Sequence, residues 1–146
     1  MLIVLDSGPL GLLSNPTKSG AARAAREWAR SKLEDGDELV VPEISDYEVR
    51  RELVWAARAN GVERLDELCA GLRYLPLATS VMRDAAALWA DARNTGAATA
   101  HDLALDGDVI LAAQARDLAE PGSVVVATTN VEHLVRYVDA RVWSDV

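Results

Sequence analysis

The chain opens with an unbroken apolar run, Leu2-Ile3-Val4-Leu5, cut off at once by Asp6-Ser7-Gly8-Pro9. Apolar on both alternate faces and bounded by turn chemistry, such a run predicts a strand buried within a parallel sheet. Glu38-Leu39-Val40-Val41-Pro42 repeats the pattern and is stopped by proline, and Ser123-Val124-Val125-Val126-Ala127 repeats it again. Tyr74-Leu75-Pro76-Leu77 and Ala140-Arg141-Val142-Trp143 are further short extended segments. Between the strands the apolar spacing becomes helical. Ala22, Ala25, Trp28 and Ala29 mark a helix over residues 19–33, ended by Asp35-Gly36. Ser45 with Glu48 three residues on forms a capping-box pattern, opening a helix that runs to Asn60-Gly61. Residues 62–72 predict a second helix close behind it, so the two form an antiparallel hairpin. Thr79 or Ser80 caps a helix over residues 81–93 that ends at Thr95-Gly96. A polar loop through His101 leads to Asp106-Gly107-Asp108 and a helix over 109–118, after which Pro121-Gly122 turns the chain; residues 131–137 form a last short helix.

Strands alternating with helices predict an α/β protein with a mainly parallel sheet and right-handed crossovers. No repeat or linker divides residues 1–146, a length that suits one domain with one continuous core. Half of the residues are apolar and 26% are charged, the balance of an ordinary globular chain. Phe is absent, so aliphatic side chains must fill the core, with Trp28, Trp55, Trp89 and Trp143 expected as its anchors. The single cysteine, Cys69, excludes an intrachain disulfide and a thiolate metal cluster, and is expected as a small buried hydrophobe. No apolar run is long enough to span a bilayer and the amino terminus lacks a basic region, so a cytoplasmic protein with no membrane association is expected. The net charge of −8 leaves no global basic field. Any nucleic-acid partner must be attracted by local arginines, metal ions or an oligomeric groove.

Three acids stand where these elements would aim them at a common point. Asp6 ends the first strand, at the sheet edge where α/β proteins bind ligands; its other reading is a cap or Asx-turn opening the next helix. Asp108 begins one predicted helix and Glu48 lies in the first turn of another, and either acid alone is explained as an N-terminal helix acid or capping partner. Asp106 competes with Asp108 for the same position, and Asp102 is a weaker competitor in the same loop. Two carboxylates ~5 Å apart repel by about 3 kcal/mol at an effective dielectric near 20. Such a cluster must take up a proton or bind a hard divalent cation, and Mg²⁺ and Mn²⁺ prefer oxygen ligands. Glu48, Arg51, Glu52 and Trp55 share one side of their helix. Arg50 and Arg51 are candidates for phosphate contacts, or for pairing with Glu52 and neighbouring acids; His101 and His133 are expected as structural or surface residues.

Together the segments Ile3-Val4-Leu5-Asp6-Ser7, Ile44-Ser45-Asp46-Tyr47-Glu48-Val49, Asp108-Val109-Ile110-Leu111-Ala112-Ala113-Gln114-Ala115 and Thr128-Thr129-Asn130 with His133-Leu134 resemble a PIN domain, more specifically the toxin ribonucleases of VapC-type toxin-antitoxin pairs. The resemblance spans nearly the whole chain in order. It implies a PIN-like three-layer fold: a mainly parallel five-stranded sheet with helices on both faces and an acidic metal site that cuts RNA at its carboxyl edge. Carried onto this sequence, it implies Asp6 and Asp108 as the metal ligands for Mg²⁺ or Mn²⁺, Glu48 as the third catalytic acid, and Ser7 as a residue orienting a metal-bound water. Asn130 falls where many relatives place a further Asp, which removes one negative charge; Glu132 is the nearest acid that could compensate. The resemblance further implies an RNA substrate, a cognate antitoxin protein and a homodimer, with the hairpin over residues 45–72 as a contact surface. The alternative is a catalytically inactive PIN-like binding module that holds a partner's arginine in the same pocket. An aspartyl-phosphate enzyme fits poorly, because no second acid closely follows Asp6.

Overall fold

The structure, a computed structural model, describes residues 1–18, 20–96, 102–118 and 123–146, with residues 102–104 described by their backbone alone. Ser19, His101 and the Pro121-Gly122 turn lie outside the described residues, as does the Asp102 side chain. In chain order the elements are β1 (Leu2–Leu5), α1 (Ser7–Ser14), α2 (Gly20–Glu34), β2 (Glu38–Pro42), α3 (Glu43–Trp55), α4 (Ala59–Gly71) and β3 (Arg73–Leu75). Then follow α5 (Thr79–Asn94), α6 (Asp102–Asp117), β4 (Val124–Thr128), α7 (Val131–Leu134), β5 (Ala140–Val142) and a closing 3₁₀ turn, Trp143–Asp145.

The five strands pair in the order β3-β2-β1-β4-β5, every pair parallel. The chain winds outward from β1 to β2 and β3, then returns to lay β4 and β5 on the other side of β1. That reversal creates a crevice at the carboxyl ends of β1 and β4, the place where such sheets bind ligands. Strand alternation divides the core. Ile3, Leu5, Leu39, Val41, Val125 and Ala127 face a layer that includes Leu10 and Leu13 of α1, Ala25 and Ala29 of α2 and Leu65 of α4. Val4, Val40 and Val126 face Leu111 and Ala115 of α6 and Leu134 of α7, while α5 packs through Val81, Ala85 and Ala92 onto α6. Among the described residues no helix is long and apolar enough to cross a membrane.

Several local expectations are corrected. Asp6-Ser7-Gly8-Pro9 does not break the chain but starts α1, because Pro9 sits in the first turn, where its missing N–H has no intrahelical partner to lose. The capping box at Ser45 does not form. α3 starts at Glu43, directly after Pro42, and Ser45 is buried inside it with its hydroxyl unpartnered. Nor does Asn60-Gly61 end that helix: α3 stops at Trp55, the chain turns through Ala57 at φ 53°, and Gly61 lies within α4. A Cβ on Gly61 would stand 2.7 Å from Leu53 Cδ2, so this glycine permits close helix packing. Neither Thr79 nor Ser80 caps α5; Ala78 holds that position without a side-chain bond. Trp28 and Trp143 pack edge to face at 5.6 Å as core anchors, whereas Trp55 is 86% exposed. Cys69 is only half-buried, and burial pushes its thiol up to about 11.

Gln114, fully buried on α6, joins the two layers: its Oε1 accepts from Ile44 N at 3.3 Å and its Nε2 donates to Leu75 O at 2.8 Å. Replacing it by leucine leaves both backbone groups without a partner, at about 1–3 kcal/mol each. Gln114→Leu is therefore expected to lower the thermal midpoint by several degrees, and an unchanged midpoint by circular dichroism would count against this stitching role.

Candidate functional site

The crevice at the β1/β4 switch holds a pocket of about 650 Å³ whose wall includes Asp6, Ser7, Glu48, Arg51, Asp108 and His133. Three layers of the fold meet there. The Leu5–Ala127 register of the parallel pair sets Asp6 beside Thr128 at the strand ends. Thr128 Oγ1 donates to Asp6 Oδ2 at 2.6 Å, and Ser7 N donates to Asp6 Oδ1 at 2.7 Å. Asp6 caps α1, and its carboxylate also borders the pocket.

Glu48 arrives from α3 and Asp108 from α6. Neither lies where the sequence suggested: Glu48 is in the second turn of a helix starting at Glu43, and Asp108 is inside a helix starting at Asp102, so neither enjoys a helix amino terminus. Two glycines permit the approach. A Cβ on Gly107 would collide with Glu48 Oε1, and one on Gly8 would stand 2.5 Å from Thr129 Oγ1. Ser7 stands between two of the acids, with its hydroxyl 3.4 Å from Asp6 Oδ1 and near enough to Glu48 to hold that carboxyl down. Asp106 is exposed and borders a separate apolar pocket on α5 and α6, and Glu132 is exposed on α7; neither lines the crevice.

His133, expected as a structural or surface residue, lines the pocket. Its Nδ1 is 3.3 Å from Asp108 Oδ2 and 3.0 Å from Asn130 Nδ2, so the tautomer decides whether it donates to the carboxylate or accepts from the amide. Thr128 is the other residue that the sequence reading left without a role, and its signal was its position at the end of an apolar strand. Asn130 is exposed at the rim, its N–H donating to Thr128 Oγ1 at 2.9 Å. Arg50 turns away to Asp46 and Asp66, at 2.9 and 2.7 Å. Arg51 stays at the pocket wall, 3.7 Å from Glu52.

Burial raises the Glu48 carboxyl above its ordinary range; the Ser7 hydrogen bond and Arg51 pull it down, and the charges of Asp6 and Asp108 push it up. Burial likewise raises Asp108, opposed by His133 and reinforced by Asp6. Among the described residues no three His, Cys, Asp or Glu side chains close into a ready metal cage. Asp6 and Asp108 still offer hard oxygen donors in one electrically strained pocket, and a divalent cation that keeps several waters needs no more than one or two carboxylates. The residues present fit such an ion.

No protein-family model matches the chain, and no curated protein sequence matches it. Solved structures do. A chain of VapBC2 from Rickettsia felis, crystallised bound to a DNA fragment from the promoter, is similar over 97% of this chain and 98% of that one, with TM-score 0.70 and 12% identity. A chain of VapBC-1 from nontypeable Haemophilus influenzae is similar over 99% of each, with TM-score 0.64 and 17% identity. At this identity the likeness establishes the fold, a PIN-like α/β fold of the kind found in VapBC complexes.

An acid whose folded pKa is raised binds more protons when folded than when unfolded, so stability falls as pH rises from the ordinary carboxyl range through the raised value. Asp108→Asn is therefore expected to raise the metal-free melting temperature by a few degrees at neutral pH, with the gap closing as the pH falls. Melting curves with chelator present check this; an unchanged or lower midpoint at neutral pH would contradict it.

Proposed function

We propose that this protein is a divalent-metal-dependent endoribonuclease, the toxin of a toxin-antitoxin pair, that hydrolyses RNA phosphodiester bonds in the pocket of Asp6, Glu48 and Asp108. The observation that carries this reading is the convergence of acids from β1, α3 and α6 on one desolvated crevice, with two of them raised by burial and by Asp6. The fold likeness to chains of VapBC complexes supports it.

Asp6 and Asp108 would hold Mg²⁺ or Mn²⁺. When bound, such an ion polarises a phosphoryl oxygen and makes a nucleophile available at neutral pH. The remaining steps fall to the chain. Ser7 orients the Asp6 and Glu48 carboxylates through its hydroxyl. Glu48, with its raised affinity for protons, accepts the proton of the attacking water as the new P–O bond forms, and the ribose oxygen leaves as its bond to phosphorus breaks, taking up a proton from solvent. Asn130, where a fourth acid would stand in the resembling family, limits the pocket's charge and favours one tightly held ion over two. In the same reading a cognate antitoxin restrains the enzyme, and the chain pairs as a homodimer.

Asn130, and the lack of a three-ligand cage among the described residues, favour a second reading, a PIN-like module that binds a partner's arginine without catalysis. Metal-dependent cleavage separates the two. Purified protein is expected to cut RNA only with Mg²⁺ or Mn²⁺, Asp6→Asn and Asp108→Asn to abolish cutting, and Glu48→Gln to slow it about 10²- to 10⁴-fold. Full activity in either Asp variant, or none in the wild type with either metal, would reject the nuclease.

A further inference from the structure

On its outward side α3 carries Tyr47, Arg51 and Trp55, one helical turn apart, with Tyr47 57% and Trp55 86% exposed. Ser45 and Val49, buried on another side of the helix, hold it against the core and leave these three side chains exposed. The Arg51 guanidinium lies over the Tyr47 ring, 5.3 Å from its centre, and the same arginine is part of the pocket wall. Trp55 lies seven positions beyond Glu48, almost directly above it on the helix surface and about 10 Å further along the axis. The row therefore begins beside the acids and leads away from them.

Resting on the nuclease reading, we propose that this row is a substrate subsite: Arg51 meets a backbone phosphate and Trp55 stacks on a nucleobase of the RNA strand flanking the scissile bond. An exposed indole alternating with a guanidinium is the chemistry that holds single strands without reading their sequence, since every base has a π-face. A chain of net charge −8 needs a local cation to draw phosphate towards an acidic pocket, and Arg51 stands at its wall. Val54 is exposed beside Trp55, but the charges of Arg51, Glu52 and Arg58 interrupt this surface, which suits a strand of phosphates and bases better than the contiguous apolar patch a protein partner would favour.

The test measures binding of a short, unstructured, fluorescently labelled RNA oligonucleotide with chelator present, so that cleavage does not intervene. Trp55→Ala is expected to weaken binding about tenfold, with Trp55→Phe restoring most of it, and the same factor should enter KM in the cleavage assay. Because the side chain is exposed, the melting temperature should not move, which separates lost binding from lost folding. An alanine variant that binds RNA like the wild type overturns the subsite, and does so equally if it has lost a purified protein partner instead. Wild-type protein that cuts RNA yet shows no dependence on Trp55 sinks only the subsite; wild type that neither binds nor cuts RNA sinks the nuclease reading with it.

Discussion

The parallel pairing of β1 with β4 is the constraint on which the rest depends. Its register sets the ends of two buried strands side by side, and the 2.6 Å bond from Thr128 to Asp6 occupies one carboxylate oxygen while the Ser7 amide occupies the other. Asp6 is therefore fixed before any ligand arrives. The strands themselves are held by Ile3, Val4, Leu5, Val125, Val126 and Ala127, nearly or wholly buried, so the geometry of this carboxylate is inherited from the centre of the core. Sites built on the ends of rigid elements keep their shape better than sites built on loops.

Around that fixed acid the fold assembles an electrostatic conflict. Glu48 and Asp108 are brought from separate helices, half out of water, and each would be easier to bury as a neutral group. Gly107 gives up its side chain so that α6 can come against Glu48, and Gly8 does the same against Thr129. Both close approaches border the crevice, and buried acids of this kind are the pattern expected where a site is built. The counterweights are Ser7, Arg51 and His133, a hydroxyl and two basic groups. A hard cation would relieve the same repulsion, which links the strain to the proposed chemistry.

The sheet was legible in the sequence because its central strands are continuous apolar runs bounded by turn residues, and their alternation with helices dictated parallel pairing. Helix ends were not, and each failure has a tertiary cause. Pro9 reads as a breaker until its place in a first turn is known; Gly61 reads as a terminator until Leu53 is seen against it; Asp108 reads as a helix start because Asp106-Gly107, a turn pair, comes just before it. Asp6, Glu48 and Asp108 nonetheless line one pocket, since the turn of helix that each occupies matters less than the face it points from. His133 escaped because its meeting with Asp108 depends on how α7 docks against α6, which no local pattern encodes.

The most direct measurement is a crystal structure of the protein soaked in Mn²⁺, with the ion located by its anomalous scattering. A peak between the carboxylates of Asp6 and Asp108, within coordination distance of both, is the expected result. A fully soaked crystal with no peak there, or with the ion held only at surface acids such as Asp106 or Glu132, would contradict the metal site at the centre of the proposal.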